Sequence, residues 1–173
     1  YISPTGAEHA ILKFAKDKDV QPLVRIHSEC LTGDVFGSQR CDCGPQLQEA
    51  TSQIQENGHG YVLYMRDHEG RGIGLAEKIR AYALQDSGQD TVEANISIGQ
   101  PVDDRTYEDA VEILKRLKLK GLTILTNNPE KISALEGEGF SVKTKSLEIA
   151  SNKFNKKYLE TKRDKLNHAL GAL

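Results

Sequence analysis

All three cysteines of this 173-residue chain, Cys30, Cys41 and Cys43, fall within fourteen residues, and any fold must accommodate them together. An odd, clustered set with no visible secretion signal argues against a disulfide framework and for metal ligands or a reactive thiol in a reducing, cytoplasmic setting. A Cys-x-Cys pair on a loop can place two sulfurs on one ion, and a third from a strand end completes a trigonal base; zinc suits such a set. The fourth position is open to two readings. Holding water, it makes a hydrolytic centre, because zinc brings the pKa of that water near neutrality. Closed by His27, three residues before Cys30, it makes a structural one. Arg25, Glu29 and Arg40 read as ligand contacts rather than metal packing, and a stretch leaving a strand does not turn His27 and Cys30 to one point. Both features favour the open site.

Strand and helix patterns alternate around the cluster. Pro22-Leu23-Val24-Arg25-Ile26, Tyr61–Met65 and Gly121–Thr126 read as strands, and Phe140–Thr144 as an edge strand. Residues 30–44 read as a loop. Helices are expected from Pro45, with Leu47, Ala50, Thr51 and Ile54 in phase and Asn57-Gly58 as the stop, and from Leu75 to Asp86, with Leu75, Ile79, Tyr82 and Ala83 on one face. Others are expected from Asp104 to Leu119 behind an Asp103 cap, from Pro129 to Gly137 or Gly139, and from about Asn155 onward. Ile11, Leu12, Phe14 and Ala15 fit a short helix or a strand, and residues 89–102 show no clear period. The class is α/β: a mixed β-sheet flanked by helices, with a zinc-binding loop after an early strand. Residues 1–173 are expected to form one domain, with a weakly constrained tail after about residue 147.

Composition sets the limits on partners. No run approaches the ~18 apolar residues of a membrane span. Net charge is −2, so the chain as a whole is no polyanion binder, although residues 141–173 carry eight Lys and Arg against three Asp and Glu. The plain reading of that basic end is a solvated helix face. Local features point to an anion. Glu69-Gly70-Arg71-Gly72-Ile73-Gly74 follows a strand and opens a helix, where amides and the helix dipole favour negative charge, though it also reads as a plain glycine turn. Thr126 stands at the carboxyl end of a strand, where open α/β sheets bind ligands. Lys131 lies in a first helical turn, where a cation opposes the dipole unless an anion is bound; the bland alternative is a solvated lysine. Asp103 and Arg105 read as a cap and a surface residue, or as parts of the same site.

In order along the chain, Arg25-Ile-His-Ser-Glu-Cys-Leu-Thr-Gly-Asp34, Arg40-Cys-Asp-Cys-Gly44 with Gln46, Glu69-Gly-Arg-Gly-Ile-Gly-Leu75, Lys78-Ile-Arg-Ala-Tyr-Ala-Leu-Gln-Asp86, Asp90-Thr-Val-Glu-Ala-Asn95 and Leu125-Thr-Asn-Asn-Pro129 closely resemble GTP cyclohydrolase II. The resemblance implies that Cys30, Cys41 and Cys43 bind one catalytic Zn2+. It implies GTP contacts from Arg25, Ile26, His27, Ser28, Glu29, Gln46, Glu69, Gly70, Arg71, Thr91, Thr126 and Lys131. Asp103 matches a proton acceptor, Arg105 a proposed nucleophile, and Tyr82 a residue near the base. The implied reaction opens the imidazole ring of GTP and releases formate and pyrophosphate. It leaves 2,5-diamino-6-ribosylamino-4(3H)-pyrimidinone 5′-phosphate, in the first step of riboflavin biosynthesis. Mg2+ on the triphosphate and a homodimer are implied with it. Because guanidinium is protonated at any working pH, Arg105 fits stabilisation of the departing pyrophosphate as well as it fits nucleophilic attack. The chain opens Tyr-Ile-Ser-Pro, and the family usually has a longer region before Pro22, so a trimmed or detached piece of a longer protein is expected. The rivals are a relative that stops at partial hydrolysis or serves uracil catabolism, and a nucleic-acid module with structural zinc closed by His27. Near-neutral charge and few aromatics speak against the latter.

Overall fold

The computed structural model describes residues 1–17 and 19–171. Strands β1 (Ala10–Ala15), β2 (Leu23–Ser28), β3 (His59–Met65), β4 (Gly121–Leu125) and β5 (Ser141–Lys145) form one mixed sheet in the order β1-β3-β2-β4-β5. Only β1 runs antiparallel, with Ala10 opposite Tyr64. β2 lies parallel to β3 with Ser28 opposite Met65, and parallel to β4 with Val24 opposite Ile124. β5 closes one edge beside β4, as its alternating pattern implies. Helices α1 (Leu31–Asp34), α2 (Cys43–Asn57), α3 (Gly74–Asp86), α4 (Thr91–Ser97), α5 (Glu108–Arg116), α6 (Pro129–Gly137) and α7 (Lys156–Lys165) join and flank the strands.

Period-2 alternation divides the sheet into two faces. Val24, Ile26, Leu63, Met65 and Ile124 join Val111, Leu114 and Leu135 in the larger core. Leu23, Val62 and Leu125 meet Ala50 and Ile54 of α2 in the smaller one. Arg25 and His27 share the parity of Leu23, so β2 delivers both beside α2. The carboxyl ends of β2, β3 and β4 open onto the same edge, and the segments leaving them build the site.

The structure differs from the sequence reading at several elements. The open segment at 10–15 is a strand, paired along its length with β3. Residues 30–44 are not all loop: α1 makes one turn, and α2 starts at Cys43, two residues before the expected Pro45. Residues 91–97 are helical, with Asp90 and Glu93 forming a reciprocal capping box. The helix expected from Asp104 starts at Glu108, and Asp103 does not cap it. On α3 the expected core face holds only at Tyr82: Leu75 and Ile79 are 40% and 50% exposed, Ala83 is exposed, and Lys78 and Ala81 are buried. The tail is built into the molecule, with Leu159 and Thr161 buried.

Candidate active site and metal centre

Cys30 leaves the end of β2 and caps α1; Cys41 and Cys43 lie just before and at the start of α2. Two glycines let these turns close on each other. A Cβ on Gly33 would stand 2.9 Å from Cys41 Sγ and 3.2 Å from Cys30 Sγ, and one on Gly44 would stand 2.3 Å from the Gly33 carbonyl oxygen. The three sulfurs lie within 4.8 Å of one another, with Cys30 and Cys41 3.7 Å apart. Hydrogen bonds from the other two thiols draw Cys30 down, whereas the bond to Cys30 pushes Cys41 up to about 11, and Cys43 rises for the same reason. Three thiols at this spacing do not all ionise unaided; a thiophilic dication would hold all three as thiolates. The sulfurs, the glycine-lined turn and their free state fit zinc.

His27 takes no part in the cluster. Its Nε2 lies 3.0 Å from Asp34 Oδ2, and its ring stacks on Tyr64. Asp34 also accepts from the Cys30 amide at 2.9 Å and the Tyr64 hydroxyl at 2.8 Å. The histidine therefore braces the turn that carries Cys30. Lys78 braces it from α3: its Nζ donates to Cys30 Sγ at 3.1 Å and to Glu69 Oε1 at 2.5 Å, and Glu69 Oε2 accepts from the Leu31 amide at 2.6 Å. Nothing in the local pattern of α3 separates Lys78 from a solvated lysine; its site role depends on partners 48 and 9 residues away.

Beside the thiols a cleft is walled by basic side chains from all three strand ends. Arg25 donates to the Leu125 carbonyl at 3.0 Å and to Gln46 Oε1 at 2.5 Å, and Gln46 donates to Asp42 at 2.6 Å. Arg71 sits at φ 64, a conformation uncommon outside glycine, and both its Nη atoms are buried without a partner among the described residues. Lys131 is buried, not solvated; its Nζ donates to the Ile26 carbonyl at 2.8 Å. Burial, with Arg25 and Arg105 nearby, holds its ammonium well below the usual lysine range. Arg105 is clamped by Asp103 and donates to Ser28 Oγ at 3.2 Å. Burial pulls the Arg105 guanidinium down, but the hydrogen bond to Asp103 outweighs it and the group stays above its ordinary value. Burial likewise raises Asp103, and Arg105 outweighs it, so the carboxyl is held low. Ser28 Oγ also meets His68 Nδ1 at 3.0 Å. On the opposite wall Arg40 lies 5.0 Å from the Tyr82 ring centroid, with the Tyr82 hydroxyl 3.5 Å from Thr32 Oγ1.

Most of the residues expected at the site converge here. Arg25, His27, Ser28, Glu29, Gln46, Glu69, Gly70, Arg71, Tyr82, Thr91, Arg105, Thr126 and Lys131 line the cleft with the three cysteines. Thr126 is buried just beyond β4, its Oγ1 accepting from the Asn128 amide at 3.1 Å. Two expected residues do not form the wall. The Ile26 side chain belongs to the larger core, and Asp103 stands behind Arg105. The sequence reading missed Lys78, His68, Asn95, Tyr158, Lys162 and His168, which line the cleft. The last three come from the basic tail, so the solvated-face reading of that tail fails at Lys162, whose side chain is 11% exposed and bonded to buried Asp42 at 2.8 Å.

Fold and site together define a class: an α/β domain with a three-cysteine cluster that could hold a metal ion, opening onto a basic recess at the carboxyl ends of parallel strands. The chain belongs to the GTP cyclohydrolase II family, whose model matches residues 2–146. It is similar to riboflavin biosynthesis protein RibBA of Salinispora tropica, 52% identical over 170 residues, which cover 96% of this chain and 42% of that protein. The Nocardia farcinica RibBA is 53% identical over 152 residues, covering 87% and 37%. That of Cytophaga hutchinsonii is 49% identical over 168 residues, covering 96% and 41%. The chain thus spans about two-fifths of the length of these relatives.

Proposed function

We propose that this chain hydrolyses GTP, opening the imidazole ring to release formate and pyrophosphate and leave 2,5-diamino-6-ribosylamino-4(3H)-pyrimidinone 5′-phosphate, in the first step of riboflavin biosynthesis. The observation that carries the reading is the meeting, in one cleft, of a three-thiol cluster and several buried cations. Membership of the family and the RibBA relatives support it.

Cys30, Cys41 and Cys43 would hold one Zn2+, which when bound acidifies water for hydrolysis near neutral pH. The remaining roles fall to the protein's own groups. Arg71 presents two unpartnered buried donors to the phosphates, Arg25 adds fixed positive charge, and an anion bound beside Lys131 would favour its ammonium form. Mg2+ bound with the triphosphate would offset part of its negative charge. Tyr82 and Arg40 flank the thiol end of the cleft, where the base must lie for its ring carbon to approach the metal. Asp103, held ionised behind Arg105, keeps that guanidinium charged and aimed at the cleft, in place of the proton-acceptor role that the resemblance implies. Arg105 stays protonated in that clamp, so its fitting role is to stabilise the departing pyrophosphate rather than to attack. His68 and Arg105 share Ser28 Oγ, which fixes the guanidinium from its other side.

The test is direct: with GTP, Zn2+ and Mg2+, formate and pyrophosphate appear, and mass spectrometry shows the opened ring. A ring left closed or still formylated points to a partial hydrolase. Release of neither product ends the proposal. Arg105→Ala is expected to lower turnover by about 10²-fold or more.

We further read the chain as a cytoplasmic homodimer. Three cysteines free of disulfides suit a reducing compartment. Leu75 and Ile79, one turn apart on α3, expose apolar surface that a twofold partner would cover. Sedimentation velocity should show a dimer that Ile79→Asp weakens; a monomeric parent chain would refute this.

A further inference from the structure

The segment from Lys156 to Ala169 lies beyond the residues that the family's model matches, yet it lines one side of the cleft. Three of its fastenings lie at or near the site. Lys162 Nζ bonds buried Asp42 at 2.8 Å, between two of the cysteines. Lys165 pairs with Asp90, the cap of α4. The Ala169 amide donates to the Asn127 carbonyl at 2.9 Å, and Asn127 lies in the turn between Thr126 and Lys131. The Asn127 side chain in turn binds Leu147, with Nδ2 donating to its carbonyl at 3.0 Å and Oδ1 accepting from its amide at 3.1 Å. One asparagine therefore ties both ends of the tail to the anion-facing turn.

Once fastened, the segment turns three side chains inward. The Tyr158 ring carries Arg71 at 6.0 Å on one side and Lys162 at 4.8 Å on another, so it sets the direction of the guanidinium whose Nη atoms are buried without partners. The His168 side chain lines the cleft, where burial and the charges of Lys162, Lys131, Arg105 and Arg71 keep its imidazole neutral. A neutral imidazole still offers one N–H to an anion. Lys162 spends one of its three ammonium protons on Asp42, leaving two donors for the recess.

We propose that residues 156–169 are a phosphate-binding strap that completes the nucleotide site, with Lys162 and His168 contacting the anionic end of the substrate and Tyr158 positioning Arg71. This rests on the reading of the cleft as a nucleotide site. It assigns recognition of phosphate, not of the base, to the tail.

The experiment is titration calorimetry on the full, zinc-loaded chain with inorganic pyrophosphate, GTP and guanosine, comparing the parent with Lys162→Met, His168→Ala and Tyr158→Leu. Each variant should lose about tenfold or more in affinity for pyrophosphate and GTP, keep its guanosine affinity and zinc content, and show a raised KM with a smaller change in kcat. His168→Ala removes a side chain with no hydrogen bond among the described residues, so it keeps the test valid should Lys162→Met disturb the fold through unpaired Asp42. Pyrophosphate and GTP affinities within twofold of the parent in His168→Ala and Tyr158→Leu overturn the strap while leaving the proposed reaction intact. Pyrophosphate binding that these variants weaken, in a parent that releases no formate from GTP, upholds the strap and ends the reaction. A parent that binds neither GTP nor pyrophosphate ends both.

Discussion

Residue by residue, the turn that carries the cysteines tolerates little change. Gly33 has no room for a methyl group, because its Cβ would press on two cysteine sulfurs at 2.9 and 3.2 Å. Gly33→Ala is therefore expected to cost about 1–3 kcal/mol by overpacking and to lower zinc content, measured by metal analysis after dialysis. Lys78 and Glu69 form a buried pair whose side chains are about one-tenth exposed. Removing one member leaves the other charge buried without compensation. Lys78→Met should destabilise by roughly 3–5 kcal/mol in urea, and Lys78→Met with Glu69→Gln by clearly less. Equal losses in the two variants would show that the pairing is not what matters.

Single elements explain how distant parts of the cleft are held together. α3 places Lys78, Ala81, Tyr82 and Gln85 on one stripe, spaced three and four apart, and that stripe faces the cleft. Leu75 and Ile79 consequently face outward. α4 starts on Asp90, which accepts from the amides of Val92 and Glu93 at 2.8 and 3.1 Å while Glu93 Oε2 accepts from the Asp90 amide at 2.9 Å. Asp90 also anchors α7 through Lys165. Asp90→Ala should cost about 1 kcal/mol from the lost cap and raise hydrogen exchange in both α4 and α7. Exchange confined to α4 would show that the Lys165 contact carries no weight.

Across the whole molecule, the concentration of cations in one recess makes stability depend on pH. Burial and the nearby cations, Arg105 for His68 and Lys162 for His168, lower both imidazoles to about 3. The unfolded chain, with ordinary histidines near 6.5, binds these protons before the folded one does. Stability is thus intact above about pH 6.5 and is lost as pH falls toward 3, at roughly 1.4 kcal/mol per pH unit for each imidazole. Thermal midpoints measured from pH 7 to 4 should fall accordingly, and His68→Gln or His168→Gln should flatten the slope. A slope unchanged in both variants would assign it to other groups.

Much of this was open to reading in one dimension. The cysteine spacing, the glycine turn after β3, the strand alternation and the proline at the start of α6 are local signals with local causes, and each lies where the pattern puts it. The Asp90-x-x-Glu93 capping box was equally legible and was passed over. Other features depend on partners far along the chain. Asp103 reads as a helix cap, yet Arg105 takes its carboxylate and the helix starts five residues later. Lys162 reads as a surface charge until Asp42, 120 residues away, buries it. Apolar periodicity reports which positions prefer to leave water, but it carries no information on which cations a distant carboxylate, sulfur or ring will draw inside. The sequence alone therefore determined the sheet-and-helix class, the thiol cluster and the family resemblance. Tertiary packing decided that α3 turns a lysine inward, and that the basic tail folds back as a wall of the cleft.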